Sequence, residues 1–218
     1  MDSDTPSIAF LEPSNLKGFQ PGRSRDAQPV SIPRPFLDAM EVRGKVFVRE
    51  QNVPLENEFD SDDSRSCHWV VYATSKQTAP PAGTVRLVPF PHEPHPEAGG
   101  SYWNGVLEGE QPVTGSEPYV KLGRLAVIKE CRGQRLAGYL VIEALSWLKA
   151  NKSYFDDAVT EPGSEQGAPR WKGLVCAHAQ EQAVGAWAKW GFQVDEGMGR
   201  WFEEGIPHVG MFRRLDIE

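Results

Sequence analysis

The stretch from Tyr119 to Ala150 constrains the fold of this chain more than any other part of it. Tyr119–Val127 (YVKLGRLAV) reads as a strand, which runs into a turn rich in Gly and Arg that opens a long helix. From Gly133 to Ala150 the apolar residues fall at helical spacing. Leu136, Leu140, Ala144 and Leu148 lie four apart, and Val141 and Leu145 widen the same face. A strand running straight into a long amphipathic helix has to bury that helix against a sheet.

The remaining segments extend the pattern. Ile8–Leu11 reads as a first strand, and a helix is expected from Pro33, carrying Phe36, Leu37, Met40, Val42, Val46 and Phe47. His68–Ala73 reads as a buried strand and Gly83–Phe90 as an alternating one. Leu174–Ala177 reads as a short strand, and Gln180–Trp190 as a helix stopped by Gly191. Phe192–Val194 and His208–Leu215 are expected to form a closing hairpin. Two stretches, 89–118 and 151–170, are rich in Pro, Gly and acidic residues and read as loop insertions. The order of elements predicts an α/β fold with a mixed sheet.

Composition excludes several classes. Lys and Arg number 23 against 30 Asp and Glu, a formal net charge of −7, which argues against a general nucleic-acid binder. Cys67, Cys131 and Cys176 are too few and odd in number for a disulfide framework. No apolar run approaches the roughly 18 residues of a membrane span, and the acidic Met1–Asp4 lacks a signal core. The expectation is a cytoplasmic protein with no nucleic-acid or membrane partner. Cys67–His68, Cys176 with His178, and His92 with His95 are isolated pairs rather than a four-ligand set, so no metal site is expected.

The densest chemistry lies at Leu122–Gly138. The first N–H groups of a helix have no partner within it and sit at the positive end of its dipole. Gly133 removes bulk there, and Arg132 and Arg135 add charge, which suits an anion such as phosphate. The same residues also fit an ordinary strand–helix turn with solvated arginines. No Gly-Lys-Ser/Thr and no Gly-x-Gly-x-x-Gly is present, which disfavours nucleoside triphosphate and dinucleotide folds.

This stretch resembles motif A of the GNAT acetyltransferases, Arg/Gln-x-x-Gly-x-Gly/Ala. Arg132 stands at its first position and Ala137 at its last, while Arg135 replaces the usual Gly, as in the ElaA-like branch. Val42–Pro54 followed by Asp60–Asp63, and Glu203–Met211, are similar to blocks of the same branch, and Gly191-Phe192 is similar to motif B. The resemblance implies a single GNAT-like domain over residues 1–218, with a mixed, mostly antiparallel sheet and helices on both faces. It implies acetyl-CoA as cosubstrate, its pyrophosphate held by Arg132, Gly133, Gln134, Arg135, Leu136, Ala137 and Gly138. Leu125, Ala126 and Val127 would pair with pantetheine and hold the thioester carbonyl.

Acetyl transfer by direct attack needs a neutral amine, hence a base. Glu50 and His208 are the catalytic candidates, with Glu203 and Glu204 also weighed; His208 has the intrinsic pKa for the task. Where many relatives place an acidic Tyr, this chain has Trp187, whose indole cannot serve as an acid. The acidic run Glu56–Asp63 reads as a solvated loop. The expected acceptor is a small-molecule primary amine, such as the amino sugar glucosamine or another small amine. A protein or peptide N-acetyltransferase and a non-catalytic acyl-CoA-binding module stay open, as does a homodimer.

Overall fold

The computed structural model describes residues 5–74, 79–102, 117–154 and 170–217. The chain packs as two units, residues 1–88 with 124–144, and residues 89–123 with 145–218. Its strands are β1 (Ser7–Leu11), β2 (Cys67–Tyr72), β3 (Pro81–Val88), β4 (Ser101–Tyr102), β5 (Val120–Val127), β6 (Leu174–Gln180), β7 (Gln193–Val194), β8 (Arg200–Glu203) and β9 (Ile206–Arg214). Its α-helices are α1 (Arg34–Arg43), α2 (Leu136–Ala150) and α3 (Val184–Lys189). The sheet is mixed and mostly antiparallel, as the sequence predicts.

In the first unit β1, β2 and β3 form an antiparallel meander, with Phe10 opposite Trp69 and Trp69 opposite Val85. Every residue of β3 is buried, Thr84 and Arg86 included, so its alternation does not mark a solvent-facing side. α1 is capped by Pro33 and has Pro35 in its first turn, where a missing N–H costs nothing. Phe36, Ala39 and Val42 face the core, and Phe19 meets Phe36 edge-on at 5.1 Å. Full burial of a Phe or Val side chain contributes about 1.5–3 kcal/mol. Beyond Arg43 the helix widens into a π-helix, Gly44–Glu50. Val46 and Phe47 on that segment pack with Ala126, Ile128 and Cys131.

A buried ionic network holds this unit together. Arg43 is fully buried and binds Glu58 Oε1 at 2.6 Å and Asp63 Oδ1 at 2.6 Å. Arg86 binds Asp60 at 2.6 Å and Asp63 at 2.8 Å, and Arg124 reaches Asp60 at 3.1 Å. The acidic run expected to be solvated is therefore partly interior. The reason is that Arg43 and Arg86 lie on core-facing positions of a helix and a strand, and a buried cation needs an anion.

In the second unit β6 pairs antiparallel with β9 from Leu174–Arg214 to Gln180–His208, and β5 pairs parallel with β6 at Val120–Val175 and Lys121–Cys176. Glu204 and Gly205 turn tightly between β8 and β9 with φ of 51° and 74°, the left-handed pair a two-residue hairpin requires. The expected partner of the last strand, β7, does pair with it, but the tight hairpin is made by β8, a short strand that flanking glycines concealed. The helix expected from Gln180 starts later, because Gln180 is still in the ladder opposite His208. Gly191 ends it at φ 81° as expected. Of the expected insertions, residues 103–116 and 155–169 lie outside the described residues.

Removing one member of the ionic network should be costly. Arg43→Met leaves two buried carboxylates short of a partner and should lose about 3–5 kcal/mol in denaturant titration. Burial alone would raise the Asp63 carboxyl, but Arg43 and Arg86 hold it far below the ordinary carboxylate range. A depressed folded-state pKa means the unfolded chain binds the proton more tightly. The contribution of Asp63 is thus complete above about pH 5 and falls away as pH drops below the unfolded value of about 3.9. Urea midpoints measured between pH 7 and pH 3 should fall in the wild type and fall less in Asp63→Asn.

Candidate active site

The Gly/Arg turn is built by two left-handed residues. Ile128 N–H donates to Ala82 O at 2.9 Å, anchoring the end of β5 against β3, and a single 3₁₀ turn spans Lys129–Cys131. Gly133 then takes φ 81° and Arg135 φ 60°. A right-handed helix cannot include either, so α2 begins at Leu136 rather than Gly133. Tyr139 N–H donates to Arg135 O at 3.1 Å, the first turn of the helix. Arg132, Gly133, Gln134 and Arg135 are exposed, Leu136 is buried, and Ala137 and Gly138 are half-buried. The turn therefore offers two guanidinium-bearing residues beside a helix start, an anion-binding arrangement.

Glu50 belongs to this turn. Arg132 Nη1 and Nη2 each donate to one Glu50 carboxylate oxygen at 2.7 Å, and Arg132 Nε donates to Val127 O at 3.0 Å. The hydrogen bonds from Arg132 hold the Glu50 carboxyl below its ordinary value. The π-helix makes this possible, since Glu50 ends it and its inner face packs on the end of β5. On β5, Leu125, Ala126 and Val127 follow Arg124, whose φ of 47° interrupts the strand as a bulge would. Its ladder with β6 ends at Lys121.

The second unit holds a separate cluster. His208 is 7% exposed, and its Nδ1 lies 2.8 Å from Ile206 O. A carbonyl only accepts, so Nδ1 carries the proton and Nε2 the lone pair. Trp201 stacks on His208 and donates its Nε1–H to Glu203 at 2.8 Å. His178 Nδ1 lies 3.2 Å from the same Glu203 oxygen. Burial would raise the Glu203 carboxyl, but His178, His208 and Trp201 bring it well below its ordinary range. Burial lowers His178, lowers His95 to about 4 and raises the Cys176 thiol to about 12.

The sequence missed part of this cluster. His95, Cys176 and His178 each present a donor atom within 4.8 Å of the others. Cys176 and His178 stand on one face of β6 by strand alternation, but nothing in the sequence signals that His95 joins them. Glu204, weighed as a base, occupies the left-handed hairpin turn instead. Cys67, Cys131 and Cys176 are all free thiols.

Residues 42–142 match the family model of the acetyltransferase (GNAT) domain. That stretch carries the sequence pattern of a GNAT acetyltransferase domain. The chain is 28% identical over 176 residues to the uncharacterized N-acetyltransferase YjcF of Bacillus subtilis, covering 81% of this chain and 90% of that protein. Its fold is similar to that of Escherichia coli ElaA, with a TM-score of 0.57 and 18% identity over 96% of this chain and all of that one. An acyl-CoA N-acyltransferase from Pseudomonas aeruginosa gives 0.56, with 18% identity over 96% of this chain and 99% of its own.

Against the GNAT pattern, the departure at Arg135 has a defined geometry. The position normally given to Gly keeps a left-handed backbone here, and a side chain bears the conformational cost. The Tyr position also departs. Trp187 is 4% exposed and packs edge-on against Phe192 at 4.9 Å and Trp190 at 5.4 Å, so its indole fills core.

Substitution at 135 should report this geometry. Arg135→Gly relieves the left-handed cost and should melt no earlier than the wild type, while Arg135→Val should lose about 1–2 kcal/mol, since β-branched residues tolerate that region worst. Thermal melts of the two variants check the ordering.

Proposed function

We propose that this acetyltransferase moves an acetyl group from acetyl-CoA to the primary amine of a small molecule, such as an amino sugar, by direct attack on the thioester. The observation that carries the proposal is the turn from Lys129 to Leu136, where two left-handed residues and two exposed arginines meet the start of α2. Arg132, Gly133, Gln134, Arg135, Leu136, Ala137 and Gly138 are assigned to the pyrophosphate, and Leu125, Ala126 and Val127 to pantetheine and the thioester carbonyl. The net charge of −7 favours a cationic acceptor over an anionic one. Three free thiols suit a reducing compartment, so a cytoplasmic setting belongs to the same proposal. Among the described residues no helix is long and apolar enough to cross a membrane.

For the base we favour His208. Its tautomer is set by Ile206 O, which leaves Nε2 as a proton acceptor. Glu50 is the other candidate, but its two oxygens are engaged by Arg132 and its basicity is reduced by that contact. In this reading Glu50 orients Arg132 before the cofactor arrives and competes with phosphate for it.

Three variants test the proposal. Arg132→Ala with Arg135→Ala should weaken acetyl-CoA binding by about 1–3 kcal/mol, the scale of charge-assisted hydrogen bonds. Unchanged affinity by calorimetry would remove the assignment of the turn. His208→Ala should lose about 10²–10⁴-fold in turnover while still binding acetyl-CoA. Glu50→Gln should bind acetyl-CoA at least as tightly as the wild type and keep most of its turnover. The opposite pattern would make Glu50 the base. The rate should rise with pH, as the base and the amine lose protons. Acetylation of peptides but of no small amine would move the substrate class to proteins.

A further inference from the structure

His178 is held as metal-ligating histidines are held. Its Nδ1 faces the Glu203 carboxylate at 3.2 Å, and Trp201 Nε1–H donates to the same oxygen at 2.8 Å. A carboxylate on one ring nitrogen fixes the proton there and leaves the other nitrogen as a donor of its lone pair, the usual outer contact of a metal-bound imidazole. That other nitrogen, His178 Nε2, is buried and has no hydrogen-bond partner among the described residues. The same holds for Nδ1 of His95. A buried polar atom left without a partner carries an uncompensated desolvation cost. Two unpartnered imidazole nitrogens beside one thiol call for a shared explanation.

The third donor is the Cys176 sulfur, two residues before His178 on the same face of β6. Ligand atoms of His95, Cys176 and His178 lie within 4.8 Å of one another. A tetrahedral ion with bonds of about 2.0–2.3 Å to nitrogen and sulfur needs them about 3.3–3.7 Å apart. Small side-chain rotations close that difference. His95 is steered into the group by Tyr119, on which it stacks at 5.0 Å, and by the edge of Phe212 at 5.7 Å. The surrounding charges suit a dication, since Glu203, Asp195 and the thiolate that binding would form outweigh Lys121.

We propose that His95, Cys176 and His178 form a binding site for a zinc-class divalent cation. Two imidazole nitrogens and one thiolate make a borderline-soft set, which selects Zn²⁺ or Co²⁺ over Mg²⁺ and Ca²⁺. Three protein ligands leave a fourth position for water. The ion fastens the segment ahead of β4 to β6. Glu203 acts on it only through His178 and is a positioning residue. The site shares no residue with the Gly/Arg turn, and it holds or fails independently of the acetyl-transfer reading.

The experiment is a Co²⁺ titration of the untagged full chain after removal of metals with a chelator, followed by absorbance. The expected result is about one Co²⁺ per chain, a sulfur-to-cobalt charge-transfer band and visible bands of tetrahedral strength, all displaced by Zn²⁺ and unaffected by Mg²⁺. Cys176→Ser should abolish the charge-transfer band, and Cys131→Ser should keep it. His95→Asn alters a half-buried residue outside the strands and should weaken Co²⁺ at least tenfold while circular dichroism stays native. That variant keeps the test open if Cys176→Ser does not fold. No charge-transfer band in the wild type, or a band that survives in His95→Asn at unchanged affinity, would overturn the proposal.

Discussion

Two arginines buried inside the first unit decide how that unit is assembled. Arg43 comes from α1 and Arg86 from β3, and each is buried among apolar neighbours where a lone cation could not stay charged. The anions that satisfy them, Glu58, Asp60 and Asp63, come from one irregular segment between the π-helix and β2. That segment has little regular structure of its own and takes its path from the guanidinium groups. Such a network adds little net stability compared with apolar packing, but it admits few alternative arrangements. His68 adds to it by donating from Nε2 to Asp63 O at 2.9 Å, with burial lowering the ring to about 4 so that it stays neutral.

The network also sets the frame of the Gly/Arg turn. Arg124 leaves the regular strand conformation at φ 47° and directs its guanidinium to Asp60, and the residues after it run on to Ile128, which hydrogen-bonds Ala82. The π-helix packs Val46 and Phe47 under this end of β5 and brings Glu50 to Arg132. A π-helix is uncommon and costs backbone geometry, which is why it tends to occur where a side chain must be re-aimed. Arg135 joins two requirements in one residue. The turn takes a left-handed backbone, and the proposed pyrophosphate role calls for positive charge; glycine would meet the first alone.

In the second unit the polar interior is organised around Glu203 instead. It receives Trp201 and faces His178, and the aromatic rings of Trp201, Tyr119 and Phe212 surround the imidazoles. The hairpin that carries Glu203 and His208 depends on the left-handed pair Glu204–Gly205, so its chemistry rests on local turn geometry as well as on packing.

The sequence by itself determined the strand–turn–helix unit, the amphipathic face of α2, most strands to within a few residues, and the family whose pattern the turn carries. These are legible because they follow from local periodicity and turn chemistry, where each residue's neighbours along the chain set its conformation. Only the tertiary structure decided that the acidic run is interior, that Glu50 serves Arg132, that Trp187 fills core, and that His95 meets Cys176 and His178. Apart from the packing of Trp187 on Trp190 and Phe192, the contacts that decide these outcomes are not local. Arg132 and Glu50 are 82 positions apart and Arg124 and Asp60 are 64, so no period or motif links them. The buried charges find partners wherever the sheet happens to bring them, and the exposed Glu50–Arg132 pair forms where the π-helix meets the turn; both depend on the whole chain at once.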